Sequence, residues 1–358
     1  MEIQEKKKVY VGMSGGVDSS VSAYLLQKDG YDVTGVFIKV WQPDWIECTW
    51  KEDRLDAMRV CAQLDIQFIT LDLEAEYKSG VIDYMISEYR VGRVPNPDVM
   101  CNREVKFGGF YKWALAQGAD YIATGHYAQN IYNDKTKEYE LRASSDTDKD
   151  QGYFLWTVTQ DKLKNVLFPI GNIKKSEVRQ IAEEAGLYTA TKKDSQGLCF
   201  IGKLDIKDFL KEYIDVKPGC VLDVTGNIVG HHDGAVFFTL GERHGFAITK
   251  KTENDTPLFV VARDIDENTI TVSDISPSIS RSTLSLDVIN TNFISKVQNE
   301  FECMAGIRYR GRLEECAVVL GENNTATAVF KNGDNTSTAG QSIVFYKGDI
   351  LLGGGIID

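Results

Sequence analysis

The chain has 358 residues, 43% of them hydrophobic and 26% charged, and its 40 basic against 52 acidic side chains give a formal charge of −12. That length is too great for one ordinary core and predicts two or three domains, while the composition excludes collagen-like, disordered and disulfide-stapled classes. No apolar run approaches the roughly 18 residues of a membrane helix, so no membrane association is expected, and the net acidity argues against nucleic acid unless basic residues gather locally.

From the N-terminus, Met1 to Lys8 is charged and lacks an apolar signal core, which predicts a cytoplasmic protein. Val9-Tyr10-Val11-Gly12-Met13 reads as a strand, and Ser20 to Gln27 reads as a helix. Between them lies Ser14-Gly15-Gly16-Val17-Asp18-Ser19. Strand, glycine loop and helix start are the parts of a phosphate cradle, because glycines let backbone N–H groups approach oxygens and a helix N-terminus adds donors. The loop lacks the Gly-Lys-Ser/Thr end of a Walker-type motif. Asp18 stands where phosphates would lie, and a carboxylate beside pyrophosphate is repulsive unless a divalent cation intervenes, so Mg²⁺ is implied. The pattern resembles the loop of the ATP pyrophosphatases, which cleave ATP to AMP and pyrophosphate.

Further strands are expected at Asp32–Trp41, Ile66–Leu71 and Ala119–Thr124, spaced by helices near 52–64 and 75–88 and by another starting near Arg103. Such alternation predicts an α/β, doubly wound, mostly parallel sheet, with ligands at the carboxyl ends of its strands. The glycine loop and Thr124-Gly125-His126-Tyr127 both fall there. A helix is expected from about Ser176 to Gly186 and a short one from Ile206 to Tyr213. Beyond about residue 200, Gly-rich turns separate short alternating strands, and a Ser/Pro-rich linker runs from Ser273 to Ser282. Turns are expected at Gly321–Asn324 and Asn332-Gly333. Three domains are therefore predicted: 1–204 catalytic, 205–276 small and β-rich, and 277–358 a C-terminal β-barrel.

Seven cysteines without a Cys-x-x-Cys pair, and only four histidines, two of them (His231-His232) in a Gly-rich turn, predict neither a disulfide scaffold nor a structural metal. Cys61, on a helix face with Ala57 and Leu64, reads as core, as do Cys303 and Cys316 on alternating strands. Two cysteines stand apart. Cys101 closes Val94-Pro95-Asn96-Pro97-Asp98-Val99-Met100-Cys101-Asn102 just before a helix, where the helix start can lower a thiol pKa and Asp98 is near enough to act as acid or base. Cys199 lies in Asp194-Ser195-Gln196-Gly197-Leu198-Cys199-Phe200-Ile201-Gly202. An inert buried thiol is the plain alternative for each.

These loops, with Thr124-Gly125-His126-Tyr127, Lys149-Asp150-Gln151 and the terminal Gly353-Gly354-Gly355-Ile356-Ile357, together resemble the bacterial tRNA-specific 2-thiouridylases over nearly the whole chain. The resemblance implies ATP-dependent thiolation of the wobble uridine of tRNA at C2, with sulfur relayed from a partner protein. It implies ATP at Gly12, Met13, Ser14, Gly15, Gly16, Val17, Asp18 and Ser19, with Ile38 and Gly125 at the adenosine end. Asn96, Pro97 and Asp98 would surround the target base, Cys101 would be the nucleophile, and Cys199 would carry the persulfide, the two able to join as a disulfide. His126, Lys149, Asp150, Gln151, Arg308, Tyr309 and Gln341 would touch tRNA. Ile38 stands where relatives often carry Met, and Gly152 where Ser is usual.

Local charge gives the RNA a place despite the net acidity. Residues 162–193 hold seven basic side chains against three acids, and Phe301 to Arg312 reads as a strand with Arg308, Arg310 and Arg312 on its outer face. The bland alternative is a solvated face balanced by Glu314 and Glu315. Two rival functions remain at this stage. One is adenylation of a small carbonyl before amine addition, as in argininosuccinate synthase-like ligases, which needs neither cysteine; the other is nucleotide-dependent RNA binding without catalysis.

Overall fold

In the computed structural model, which describes residues 6–45, 50–194, 199, 206–215, 217–249, 256–276, 281–334 and 337–358, the apolar runs of the first half become a parallel sheet. Its neighbourhood holds β1 (Lys8–Gly12), β2 (Asp32–Lys39), β3 (Gln67–Asp72), β4 (Tyr121–Ala123), β5 (Ala128–Asn133), β6 (Glu138–Ala143) and β7 (Val166–Leu167). Five of these pair in the order β3-β2-β1-β4-β7, all parallel, with Val9 opposite Val33 on one side and Tyr121 on the other. Val9, Val11 and Val36 are fully buried, as strands covered on both faces require. Helix α1 (Val17–Lys28) follows β1, and α2 (Trp50–Gln63) returns the chain to β3. The chain steps outward from β1 to β3, then restarts on the other side at β4. The crevice between the ends of β1 and β4 is therefore the topological switch point of the sheet.

The helix expected to start near Arg103 starts earlier. Asn96 caps it, its side-chain oxygen accepting from the N–H groups of Asp98 and Val99 at 3.2 Å each, and Pro97 occupies the first turn. The helix runs Pro97–Met100, widens into a π-helical stretch over Cys101–Phe110, and closes as Tyr111–Ala116. Cys101 is thus inside a helix rather than ahead of one.

The middle sheet comprises β8 (Gly219–Leu222), β9 (Ile228–His232), β10 (Phe246–Ile248), β11 (Phe259–Asp264) and β12 (Thr269–Ser273), ordered β10-β9-β8-β12-β11. His231 and His232 lie on β9, not in a turn, and His232 is buried, its Nδ1 accepting from Gly234 N–H at 2.9 Å. The C-terminal strands β13 (Arg281–Phe293), β14 (Glu300–Gly306), β15 (Glu314–Leu320), β16 (Ala326–Asp334), β17 (Ser342–Lys347) and β18 (Ile350–Ile357) pair in the order β13-β16-β15-β14-β17-β18, and β13 pairs with β18 to close the barrel. Asn332-Gly333 falls inside β16 instead of forming a turn, and the strand expected to reach Arg312 ends at Gly306. Domain boundaries expected at 204/205 and 276/277 fall on or beside residues outside those described.

One hairpin escaped the sequence reading. Strands β5 and β6 belong by position to the first domain, yet β6 pairs with β18, Leu141 opposite Leu351, and extends the barrel's sheet. The barrel also grips the Pro-rich loop. Val94 N–H donates to Ala339 carbonyl at 2.8 Å, and Arg93 pairs with Asp358 at 2.7 Å. Tyr153 hydroxyl and Trp156 Nε1 donate to Ser342 carbonyl and Oγ at 2.8 and 3.1 Å. The segment holding Asn96 to Cys101 is therefore set by the barrel as much as by its own domain.

Gly340 has φ +91°, and a Cβ there would lie 2.7 Å from Val94 N. Gly340→Ala should cost about 1–3 kcal/mol, lowering the denaturant midpoint of unfolding; a midpoint equal to the parent's would show that the barrel does not hold this loop.

Candidate active site

The glycine loop turns sharply under α2. Gly15 has φ +74°, and a Cβ on it would lie 2.3 Å from Asp53 carbonyl, so only glycine fits. Gly16 is the N-cap of α1 and supplies no side-chain cap, leaving the first-turn amides uncapped by it. Ser19 Oγ accepts from Ser14 N–H and donates to Gly16 carbonyl, both at 3.2 Å, which holds the loop's shape. Gly12 ends β1, and just beyond it Met13 N–H donates to Val36 carbonyl at 2.8 Å. From across the switch point Gly125 packs on α1 so closely that a Cβ would lie 2.8 Å from Ser19 N. Ile38, 4% exposed, sits near the carboxyl end of β2. Loop, Ile38 and Gly125 thus occupy one edge of the sheet.

The loop's charge differs from expectation. A lysine does reach it, from 157 residues along the chain: Lys175 Nζ lies 2.7 and 2.8 Å from the two Asp18 oxygens, and Tyr127 hydroxyl donates to Asp18 at 2.7 Å. Burial, and the Asp18 carboxylate it serves, keep Tyr127 protonated. Lys175 also pairs with Asp194 at 2.9 Å, which in turn takes Lys149 at 2.9 Å and Arg179 at 2.7 Å. Burial works against charge on Asp194, yet these lysines hold its carboxyl down at about 2. Lys175 thus neutralises the Asp18 carboxylate in this structure. Among the described residues no group of three or more His, Cys, Asp or Glu could hold a metal ion.

The two singled-out cysteines meet. Cys101 Sγ and Cys199 Sγ are 3.5 Å apart, 98 residues distant in sequence. Asp98 accepts from Cys199 N–H at 3.2 Å, and Tyr77 hydroxyl donates to Cys199 carbonyl at 2.8 Å, so both neighbours orient Cys199. Cys101 is fully buried, and that burial, with its hydrogen bond to Cys199, pushes its thiol well up. The expected lowering falls instead on Cys199, through the hydrogen bond from Cys101 and, against burial, the charge of Lys106. Burial also raises the Asp98 carboxyl, with Lys106 opposing. Ser195, Gln196, Gly197 and Leu198, and Phe200, Ile201 and Gly202, lie outside the described residues.

The residues expected to touch tRNA are drawn together but mostly turned inward. Lys149 is paired with Asp194, Asp150 accepts from Ser144 N–H at 2.7 Å, and Gln151 exchanges hydrogen bonds with the Tyr127 backbone at 2.8 and 3.0 Å. Tyr309 packs on Phe154 with ring centroids 4.4 Å apart, and Arg308 lies half-buried beside Tyr153. Gln341 immediately precedes Ser342, which receives Tyr153. Arg308, Arg310 and Arg312 follow the end of β14 and form no strand face; Arg310 folds over Tyr309 and donates to Asp148 carbonyl at 2.5 Å. His126 is 6% exposed and faces Lys106 and Phe168, so in this conformation it makes no surface contact. The basic stretch of 162–193 is likewise partly spent, since Lys192 pairs with Asp53 and Asp56 at 2.7 Å each.

A brief treatment with diamide should remove two electrons and two protons from Cys101 and Cys199 and join them in an intrachain disulfide, seen as a linked peptide by mass spectrometry. Both thiols staying reduced while the partly exposed Cys220 reacts would contradict their adjacency.

Family models match in series along the chain: a tRNA methyl transferase HUP domain at residues 7–203, a tRNA methyl transferase PRC-barrel domain at 207–274, and an aminomethyltransferase beta-barrel domain at 283–357. The tRNA-specific 2-thiouridylase MnmA of Listeria monocytogenes serotype 4b is 46% identical over 356 residues, spanning 98% of this chain and 94% of its own. The same-named protein of Oceanobacillus iheyensis is 43% identical over 362 residues, spanning 100% and 96%. That of Geobacillus thermodenitrificans is 45% identical over 356 residues, spanning 98% and 94%. Identity of this order along almost the full length of both chains means that the protein belongs to the tRNA-specific 2-thiouridylase family.

Proposed function

We propose that this protein uses ATP to thiolate the wobble uridine of tRNA at C2, in the cytoplasm, with sulfur received from a relay protein and carried on Cys199. The observation that carries the reading is the 3.5 Å approach of the Cys101 and Cys199 sulfurs beside the sheet's switch point. The methyl-transfer wording of two family descriptions offers no use for such a pair, whereas sulfur transfer needs it. Amine ligation would likewise leave both thiols idle.

Oxygen at C2 of uracil is a poor leaving group. Its attack on the α-phosphorus of ATP expels pyrophosphate and converts it to an AMP ester, so C2 becomes electrophilic. The uncapped first turn of α1 and the Lys175 ammonium suit the expelled pyrophosphate. Mg²⁺ would come with the nucleotide and be held by Asp18, adding charge neutralisation there. The base has to leave its stack to reach the crevice. Asp98, beside Cys199 and with raised proton affinity, is suited to exchange a proton at the base.

The terminal sulfur of a Cys199 persulfide then attacks C2 and displaces AMP, leaving tRNA joined through a disulfide to Cys199. Cys101, as thiolate, attacks the Cys199 sulfur; the S–S bond to the tRNA sulfur breaks, and 2-thiouridine departs with that electron pair. In the other order, Cys101 first frees hydrosulfide, which attacks C2. Both routes end in the Cys101–Cys199 disulfide, which an external dithiol has to reduce. Lys149, Asp150, Gln151, Arg308, Tyr309, Gln341 and His126 are proposed tRNA contacts that require the inward pairings to open.

Cys199→Ala should lower 2-thiouridine formation at least about a hundredfold, measured by nucleoside mass spectrometry, while tRNA-dependent release of AMP or pyrophosphate continues. Continued thiolation at the parent rate would overturn the assignment of Cys199.

A further inference from the structure

Lys106 was not singled out by any motif, and it stands next to both thiols. In an α-helix, a residue five positions after Cys101 points well round the helix from it. The π-helical winding of Cys101–Phe110 brings position i+5 back under position i, and such stretches recur at functional sites. Lys106 consequently stands one turn from Cys101, whose sulfur lies 3.5 Å from that of Cys199, and its charge bears on Cys199, Cys101 and Asp98. Burial disfavours the ammonium, but Cys199, Cys101 and Asp98 more than offset that and leave Lys106 raised.

What fixes the ammonium is a histidine. His126 Nε2 lies 3.4 Å from Lys106 Nζ, and its Nδ1 lies 2.7 Å from Thr124 Oγ1. An ammonium has only protons to give, so Nε2 is the acceptor and the ring proton sits on Nδ1, donated to Thr124. Burial and the neighbouring Lys106 hold His126 neutral. The other titratable groups facing this cluster are Asp98, Cys101 and Tyr77, and Tyr77 is held protonated chiefly by burial.

We propose that Lys106, held in place by the neutral His126 and Thr124 relay, is the counter-ion that keeps Cys199 as a thiolate and aims it for sulfur uptake. This rests on the reading of Cys199 as sulfur carrier. The Cys199 thiolate attacks the terminal sulfur of a donor persulfide; the donor's S–S bond breaks, the donor leaves as a thiolate, and Cys199 becomes the persulfide. Lys106 stabilises the anion on Cys199 before and after transfer. Without it, Cys199 would hold its proton more tightly, and the protonated thiol is not the nucleophile.

The test is the pH dependence of iodoacetamide labelling of Cys199, followed on its own peptide in the otherwise native protein, without tRNA or ATP. Lys106→Gln should move the labelling midpoint up by about one pH unit or more, cutting the rate about tenfold at pH values well below the parent midpoint, whereas Lys106→Arg should stay near the parent. Thr124→Val, which touches no sulfur, should shift the midpoint the same way by less, because Nε2 is then free to carry the ring proton. If Lys106→Gln does not fold, the Thr124→Val and Lys106→Arg midpoints still decide. Midpoints unchanged in Lys106→Gln, or in Thr124→Val where the former is unfolded, would overturn the proposal. Because labelling does not depend on thiolation, a normal shift with no 2-thiouridine formed would sink the functional reading and leave the counter-ion intact.

Discussion

Two sulfur atoms separated by 98 residues of chain lie 3.5 Å apart, and most of the architecture serves that contact. Cys101 is fixed by a helix that Asn96 caps and by complete burial, so it has no freedom to seek its partner. Cys199 is brought to it by Asp98 on its N–H and Tyr77 on its carbonyl. Burying two thiols together would ordinarily favour both in the neutral form. The hydrogen bond between them breaks that symmetry, and the two sulfurs acquire opposite tendencies: Cys101 is pushed up and Cys199 down, the charge of Lys106 adding to the lowering of Cys199. Unequal thiols are what a relay needs, one to carry sulfur and one to displace it.

The second constraint is mechanical. The catalytic sheet alone does not place the Cys101 helix, because the loop before it hangs on the barrel through Val94 and Arg93. The β5–β6 hairpin and the Tyr153 and Trp156 contacts to Ser342 add further ties between the same bodies. A tRNA seated against the barrel would therefore press on the element that carries Cys101. The nucleotide edge is tied in as well, since Asp194, five residues before Cys199, shares Lys175 with Asp18 of the glycine loop. Polyphosphate competing for Lys175 would act on both ends of that link.

Local signals were readable in the chain, and those made at a distance were not. The strand, Gly15-Gly16 turn and helix start are written in consecutive residues, and so is the Pro-rich loop that ends at Cys101; the pairing of Cys101 with Cys199 across 98 residues came from the family resemblance. Lys175, Tyr127 and Asp194 belong to the same site through tertiary contacts that no spacing announces. Lys106 was hidden by assuming 3.6 residues per turn where the helix is wider. The hairpin at 128–143 was missed because its strands alternate weakly and lie inside a domain read as α/β. Arg308 to Arg312 looked like a strand face because an arginine at every second position mimics β periodicity, whereas Arg310 takes φ +57° and turns the chain. The inward pairing of Lys149 to Gln151 shows the same limit: residue types suited to phosphate are equally suited to holding one another.

The most direct measurement is nucleoside mass spectrometry of tRNA from cells whose own 2-thiouridylase gene has been deleted, with and without this chain supplied. The account predicts that 2-thiouridine at the wobble position returns with the chain and stays absent without it. Wobble uridines left unthiolated in the presence of the folded chain, a sulfur donor and ATP would contradict it.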